Sequence, residues 1–335
     1  MKAPLTILLA LLGLTLAARQ PVLPITSYDY ALPENNVSPI CIGMGGLNVT
    51  NTNDFFASYT NPALIGSNDK SALLTSFRLA DNDKLTFAQA ASLSSALNSK
   101  QFKYFTLLTK QSAWTYQPMA RVHISEMQQG KVLYYDYQLD KVQATLAASD
   151  KSWQPIGFGM NLKYLAGRLV YLHGADFIDD KVRGFSSDIG LTLQTGSMTY
   201  GVAAYDLISR MWWENYDAVS LQRRIALGAQ YQSDNLTLNG GLQGKLSRST
   251  DTTFHLGMQY GWDMGVRRSG GPRTAQGLAV RLGMYSHDFS STSAINYTFG
   301  SGYNYNILRF DFSLNNSGLK IKDSEYLFSL GVGLP

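Results

Sequence analysis

The stretch Ile156-Gly157-Phe158-Gly159-Met160-Asn161-Leu162-Lys163-Tyr164 alternates apolar side chains with small or polar ones. A period of two residues is typical of a β-strand, because successive side chains point to opposite faces. One face of this strand is apolar, and the other carries glycine, an amide and a lysine. The stretch therefore predicts a strand with an apolar environment on one side and a polar, closely packed one on the other.

The same alternation recurs along most of the chain after residue 155. These runs reach about ten residues or more, as in tilted strands that cross a bilayer, whereas sandwich strands centre on about five or six. We therefore predict an all-β fold, a transmembrane antiparallel β-barrel of about 14 strands, in preference to a secreted β-sandwich. The predicted strands are approximately 71–79, 102–110, 112–124, 134–148, 154–168, 184–196, 197–206, 222–232, 236–246, 252–265, 276–286, 291–299, 304–314 and 325–334.

The connections between the predicted strands alternate in length for most of the chain. Tight connections at 111, 196–197 and 233–235 alternate with long ones at 80–101, 125–133, 169–183 and 207–221. Bacterial barrels have short periplasmic turns and longer extracellular loops. Counting from a periplasmic N-terminus puts the short connections on the periplasmic side, with 266–275 as a long exception.

The N-terminus has the features of a secretory signal peptide. Lys2 precedes an apolar run over 5–16, and Ala17 and Ala18 supply small residues for cleavage. The run is too short for a spanning helix, which needs ~20 residues. We predict a signal peptide over 1–18, an N-terminal plug over 19–66 that contains no convincing strand, and a barrel over 67–335 in the bacterial outer membrane.

The composition excludes several classes of function. The chain has 28 Lys and Arg against 24 Asp and Glu, a formal net charge of +4, and no basic run, so nucleic acid is not an expected partner. Cys41 is the only cysteine, which excludes an intrachain disulfide. The four histidines are scattered, and none has the spacing of a metal site. We expect no metal and no cofactor.

Two further groups of polar residues are candidates for a catalytic site and a cation site. Ser286, His287 and Asp288 are adjacent, and neighbours on a strand point to opposite faces, so they cannot form a catalytic relay. We therefore expect no enzyme activity. Asp176, Asp179 and Asp180 share a predicted outer loop, where solvated carboxylates are favoured over a cation site.

The segment ahead of the first strand carries a family resemblance. It reads Gly43-Met44-Gly45-Gly46, then Asp54, then Asn61-Pro62-Ala63, and further matches follow at 159–164, 188–191, 224–228 and 255–258. This order resembles the PorV/PorQ group of the wider long-chain fatty acid transporter (FadL-like) superfamily. The resemblance implies a fourteen-stranded barrel whose plug contains Gly43, Gly45, Gly46, Asp54, Asn61 and Pro62. From the residues alone, Asn61-Pro62 predicts a turn that ends a short helix.

Two functions follow from the resemblance. A PorV-like protein is a barrel of the type IX secretion machinery that binds exported cargo and secretion components. The alternative is a FadL-like conduit for a hydrophobic small molecule such as a long-chain fatty acid. Outer-membrane lipids are expected partners in both. Trp212 and Trp213, in the predicted loop 207–221, suit either a lipid headgroup belt or a protein interface.

Pro118 lies in the middle of the predicted strand 112–124. Proline cannot donate a ladder hydrogen bond, so it is tolerated mainly at a bulge or bend. In FadL-like transporters a kinked strand near the start of the barrel opens a side door, and the resemblance implies such an opening here, lined by Trp114 and Tyr116. The other interpretation is an ordinary bulge, or a strand that ends before Pro118.

Overall fold

The computed structural model describes residues 37–68, 70–79, 102–128, 130–150, 156–246, 248–265, 275–286, 295–317 and 324–334. It shows a closed barrel of fourteen antiparallel strands, each paired with its neighbours in sequence, and β1 pairs with β14. The predicted fold class and strand number are confirmed. The strands are β1 (Ser71–Leu79), β2 (Phe102–Thr109), β3 (Ser112–Gln128), β4 (Lys131–Asp150), β5 (Ile156–His173), β6 (Asp176–Thr195), β7 (Met198–Trp213), β8 (Arg224–Gln232), β9 (Leu236–Lys245), β10 (Arg248–Asp263), β11 (Gln276–Ser286), β12 (Ile295–Tyr305), β13 (Leu308–Ser317) and β14 (Ser324–Leu334).

Among the described residues, three short helical elements precede the barrel: α1 (Pro39–Gly43), α2 (Ala57–Thr60) and a 3-10 helix, η1 (Pro62–Ser67). None of the helices among the described residues is long and apolar enough to cross a membrane. The ladder that closes the barrel runs from Ser71 opposite Leu334 to Leu79 opposite Tyr326. A closed ladder leaves no unpaired sheet edge, which is what a β-structure in hydrocarbon requires.

The two faces of the wall differ as the alternation predicted. On β5, Phe158 and Leu162 point outward and are about half exposed, whereas Asn161 and Lys163 point inward and are almost fully buried. The other strands repeat this arrangement, so an apolar belt surrounds the barrel. The belt includes outward residues from most of the strands: Leu73, Phe105, Leu146, Leu191, Val202, Leu227, Leu238, Met258, Leu282, Phe299 and Phe310.

The barrel has two unlike ends. We call the end where β1 begins and β14 ends the terminal end, and the opposite one the distal end. The terminal end carries turns at 110–111, 196–197, 233–235 and 306–307, and the first three were predicted. The predicted turn between 299 and 304 was wrong: β12 continues through this glycine-rich stretch to Tyr305, and the turn is at Asn306 and Ile307.

Two of the long loops predicted at the distal end are strands instead. Residues 125–133 and 169–183 belong to the hairpins β3–β4 and β5–β6, which turn at Gly130 and Gly174 with positive φ angles of 76° and 62°. Such glycines suit tight hairpin turns. These hairpins extend past the apolar belt. Their outer faces carry polar residues there, so the sequence lacks the alternation that marks a strand. Strands β3 to β7 therefore project at the distal end.

The acidic group predicted for a loop also lies on a strand. Asp179 faces outward on β6 and pairs with Arg168 at 2.6 Å, whereas Asp180 is buried and accepts hydrogen bonds from the backbone N–H groups of Glu214 and Asn215. Predictions for 1–36, 80–101, 266–274 and 287–294 lie outside the described residues. These include the signal peptide, the first part of the plug and the exceptional connection.

Replacing Met258 by arginine tests which face contacts lipid. We expect the free energy of unfolding in lipid vesicles to fall by roughly 2–4 kcal/mol, the cost of a charge near the bilayer midplane on a barrel surface. The control is Gln194→Arg, on the inward face of β6, which should cost much less. Denaturant titration of both variants measures this, and equal losses would contradict the assigned faces.

Candidate functional site

Residues 37–68, which we call the inner segment, lie within the barrel. Most of their side chains are buried, including Val37, Ile40, Val49, Phe56 and Tyr59, each exposed by no more than 2%. They pack against inward residues of the wall, in a cluster that contains Leu74 of β1, Tyr104 and Leu108 of β2, Ala113 of β3, Ala203 and Tyr205 of β7, and Ala226 of β8. The inner segment therefore fills the part of the barrel that it crosses.

A row of inward glycines defines the path of the inner segment. Eight successive strands, β5 to β12, each place at least one glycine against it, and a Cβ atom there would overlap or press on its atoms. On β10, a Cβ at Gly257 would overlap the carbonyl oxygen of Met44. We call these residues the glycine row; in strand order they are Gly157 and Gly159, Gly190, Gly201, Gly228, Gly241, Gly257, Gly283 and Gly300.

Polar side chains of the wall form hydrogen bonds with backbone carbonyl groups of the inner segment. His255 Nδ1 lies 2.6 Å from the carbonyl oxygen of Gly45, so it donates to that oxygen, and its ring stacks on Tyr285. Tyr205 donates its hydroxyl to the carbonyl of Thr60 at 2.6 Å. These bonds satisfy carbonyl groups that a short, irregular segment cannot pair by itself.

Residues that the family resemblance assigns to the plug determine the local conformation of the inner segment. Gly45 and Gly46 have φ angles of 87° and 78°, a left-handed conformation that favours glycine. Asp54 is a buried centre: it accepts hydrogen bonds from Ser38 Oγ at 2.8 Å, Asn48 Nδ2 at 2.9 Å and the Phe56 N–H at 2.9 Å. Burial raises the pKa of the Asp54 carboxyl above its usual value, and these bonds only partly oppose the rise.

Asn61 and Pro62 mark the junction between the two helices of the segment. Asn61 ends α2, and its side chain accepts from the Ala63 N–H to cap η1, while Pro62 occupies the first turn. The predicted turn after a short helix is confirmed. The Asn61 amide also donates to the carbonyls of Val49 at 2.8 Å and of Leu191 in β6 at 3.3 Å. It therefore joins three parts of the structure.

Beside α2, the wall contains a buried ionic cluster. Lys163 Nζ lies 2.6 Å from Asp188 Oδ1 and 3.0 Å from Asp206 Oδ1, and Arg224 lies 3.9 Å from Asp206. Asp206 interrupts the β6–β7 ladder with a φ of 54°, and its N–H donates to Asp188. Buried charges in proteins are normally paired in this way.

One cation next to this cluster has no hydrogen-bond partner among the described residues. Lys141 of β4 is 1% exposed, and its Nζ lies 5.1 Å from the ring centre of Tyr59 without donating a hydrogen bond. The Oε1 atom of its cross-strand neighbour Gln117 is also buried without a donor. Unpaired buried polar groups are costly, so a partner from outside the described residues would stabilise both atoms.

Between Lys141 and the distal end, the inward face is mostly apolar, with the buried carboxylate of Asp180 beside Leu169 as an exception. The buried apolar members of this face come from five strands and the following loop: Ala120, Tyr137, Leu139, Leu165, Leu169, Val182, Met211, Trp213 and Leu221. We call them the distal cluster. Trp213 belongs here because β7 continues to residue 213, so Trp212 points outward, 50% exposed, and Trp213 points inward at 7%. The prediction that both tryptophans are exposed was therefore wrong for Trp213.

Pro118 lies at a β-bulge, which was one of the two interpretations of its position in the sequence. On β3, Pro118 opposes Asp140 and Ala120 opposes Leu139, so Met119 is the extra residue. The β2–β3 ladder extends only from Thr109 opposite Ser112 to Phe105 opposite Tyr116. Beyond Tyr116, β3 has no ladder partner on the β2 side among the described residues.

The outer surface at this interruption is aromatic. Tyr116 stacks on Phe102 of β2 with ring centres 6.0 Å apart and donates to Asp140 at 2.9 Å. Trp114, two residues earlier, is 59% exposed. Both side chains point away from the lumen, so they form the outer margin of the interruption. On the inner side, Ala120 joins the distal cluster directly.

Comparison with known proteins defines the fold type. No family model matches the chain, and no curated protein matches it in sequence. Among solved structures, it is similar to the CymD monoaromatic hydrocarbon channel, with a TM-score of 0.55, 11% identity, and coverage of 90% of this chain and 98% of that one.

Two further structures show the same kind of likeness. A TodX deltaS2S3 mutant, a monoaromatic hydrocarbon channel, has a TM-score of 0.50, 8% identity and coverage of 88% and 97%. A Pseudomonas aeruginosa FadL homologue has a TM-score of 0.48, 11% identity and coverage of 91% and 99%. At such identities the likeness to the CymD and TodX structures shows the barrel fold alone. It does not test the resemblance to the PorV/PorQ group.

Several residues of the site were not found from the sequence. His255 was noted only as one of four scattered histidines, and Lys141 only as a strand position. Both lie at inward positions within alternating strands, which is the one signal that could have selected them. In the described part of the chain, no group of three or more His, Cys, Asp or Glu residues could hold a metal ion.

A single added methyl group tests the fit of the glycine row. Gly257→Ala should lower the free energy of unfolding by about 1–3 kcal/mol, because overpacking forces the wall away from Met44. We also expect faster swelling of proteoliposomes in small solutes. Gly261→Ala is the matched control on the same face of β10, since its Cβ would meet no atom closer than 3.9 Å. Identical behaviour of the two variants would refute the fit.

Proposed function

We propose that this protein is an outer-membrane channel that admits a hydrophobic small molecule through its wall. The observation that carries the proposal is the position of the bulge at Pro118. The bulge lies just past Tyr116, where the β2–β3 ladder of the described residues ends, and next to the apolar distal cluster on the inside. A molecule dissolved in the outer leaflet would pass from lipid to an apolar interior without crossing water.

The apolar belt and the position of the inner segment support this role. The belt suits a barrel seated in a bilayer, with the terminal end towards the periplasm, where short turns are usual. The inner segment lies between the distal cluster and the terminal end, so we propose that it acts as the plug predicted for 19–66. The names of the similar barrels, two of them hydrocarbon channels, agree with a hydrophobic cargo.

Two unpaired polar atoms on the terminal side of the distal cluster indicate the chemistry of the polar head group of the transported molecule. Among the described residues, Lys141 Nζ and Gln117 Oε1 have no hydrogen-bond partner, and they are buried where the apolar cluster meets Tyr59 of the inner segment. A carboxylate would satisfy the ammonium group, and a protonated acid or hydroxyl would also satisfy the amide oxygen. We therefore infer an amphiphile with an acidic head, such as a long-chain fatty acid.

A second candidate is the PorV-like role, in which the barrel binds exported protein cargo for type IX secretion. The observation that favours it is the projection of β3 to β7 at the distal end. Met127 and Phe177, near the tips of the two hairpins, are 68% and 60% exposed. Exposed apolar side chains beyond the membrane belt suit a protein interface.

Changing Pro118 to valine tests the lateral opening. Valine restores a backbone donor and favours a regular ladder, so uptake of a radiolabelled fatty acid by cells should fall several-fold while the heat-dependent gel shift of the folded barrel persists. Ala144→Val, on the outer face of β4, is the control. If uptake is unchanged, and only attachment of exported protein depends on the barrel, the second candidate replaces the first.

Lys141→Met tests the class of the molecule. Uptake of the fatty acid should fall about tenfold, because a hydrogen bond to a charged group contributes roughly 1.5–3 kcal/mol. Uptake of a neutral aromatic hydrocarbon should not fall. Lys110→Met, in the exposed turn between β2 and β3, serves as the control. Equal losses for acid and hydrocarbon would show that Lys141 has only a structural role.

A further inference from the structure

A polar cavity lies at the terminal end of the barrel, on the side of the inner segment away from the distal cluster. It has a volume of about 540 Å³ and lies between Asn53 and the inner faces of β8 to β13. Small inward residues recess the wall here: Gly261, Gly277, Ala279 and Gly302. Added side chains at these positions would occupy the space, so the cavity depends on their size.

Amide side chains dominate its lining. Six of them contribute: Asn53, Gln232, Asn235, Gln259, Gln276 and Asn304. Each amide carries both donors and an acceptor. The side chains of Gln232, Asn235 and Asn304 make no hydrogen bond within the described protein, so their bonding capacity is available to a ligand.

The charged groups of the lining are mostly neutralised. Arg281 lies 3.0 Å from Asp311, and Arg309 donates to Asp311 at 2.8 Å. Arg281 also donates to Gln259 Oε1 at 2.7 Å, which fixes the orientation of that amide. With Asp234 and Asp263 also present, the described residues of the lining carry no excess of positive charge.

We propose that this cavity binds a neutral, hydroxyl-rich carbohydrate. Hydroxyl groups, like amides, both donate and accept hydrogen bonds, so a sugar ring can bond to the amides of this lining. The volume suits a short oligosaccharide. If the terminal end faces the periplasm, the glycan reaches the cavity from that side. The site is independent of hydrophobic uptake, because the inner segment separates it from the distal cluster.

Calorimetric titration of the full-length, purified protein tests this proposal. The detergent must lack a sugar head, since a glycoside would compete. Probes are cellobiose and N,N'-diacetylchitobiose, with inorganic phosphate as a charged comparison. We expect both sugars to bind and phosphate not to bind. Asn304→Leu and Asn235→Leu should each weaken sugar binding at least tenfold.

Gln194→Leu is the matched control, because Gln194 is an inward amide at the terminal end that lines a different cavity. Its sugar affinity should equal that of the unchanged protein. The heat-dependent gel shift verifies that each variant is folded. Absence of sugar binding, equal binding by all variants, or binding of phosphate in place of sugar would each overturn the proposal. Fatty acid uptake should be unaffected in the asparagine variants, so this test and that of the proposed function fail separately.

Discussion

The close approach of two backbones, at the glycine row, is the constraint on which the rest of this structure depends. A fourteen-stranded barrel encloses more space than its own side chains can fill, unlike a barrel of about eight strands. Here the space is filled by a second layer of chain. The Cα atoms of Gly43 and Gly300 approach so closely that a Cβ on either would lie about 3 Å from the other. On β5, β7 and β10 to β12 the opposing atoms are backbone, and only glycine permits such a contact.

Filling the lumen with backbone creates a demand for hydrogen bonds. The inner segment has only short helices, so many of its carbonyls need partners from the wall. His255 and Tyr205 supply two of these bonds, and Asn161 donates to the Ser58 carbonyl. The polar residues of the alternating strands therefore do not simply face water, as in an open pore. They bind the backbone of the inner segment.

The predictions that succeeded rest on local periodicity. Strands β1 and β11 have the bounds that alternation predicted, because both lie within the apolar belt, where inward and outward residues differ most. Alternation fails as a guide where the wall extends past the apolar belt. The outer face of β5 and β6 becomes charged at Arg168 and Asp179, so residues 169–183 read as a loop although their backbone continues the ladder.

Glycine was misleading for a related reason. Gly300 and Gly302 read as a turn between two strands, but both lie within β12. One faces the inner segment and the other recesses the wall beside Arg281. A single sequence shows that a position is small and does not show whether a turn or an approaching chain requires it. The same ambiguity concealed the glycine row, whose members lie far apart in sequence and meet only in the closed barrel.

The distribution of contacts also determines where the inner segment can move. Along β5 to β12 it is fitted against glycine backbone, where displacement in either direction loses contact or meets overlap. Towards β1, β2 and β3 it is held by side chains, including Leu74, Tyr104 and Ala113. Side chains can change rotamer and pack again after a shift, whereas backbone cannot. The boundary beside β1 to β3 is therefore the one that depends on side-chain packing, and this part of the wall also contains the bulge at Pro118.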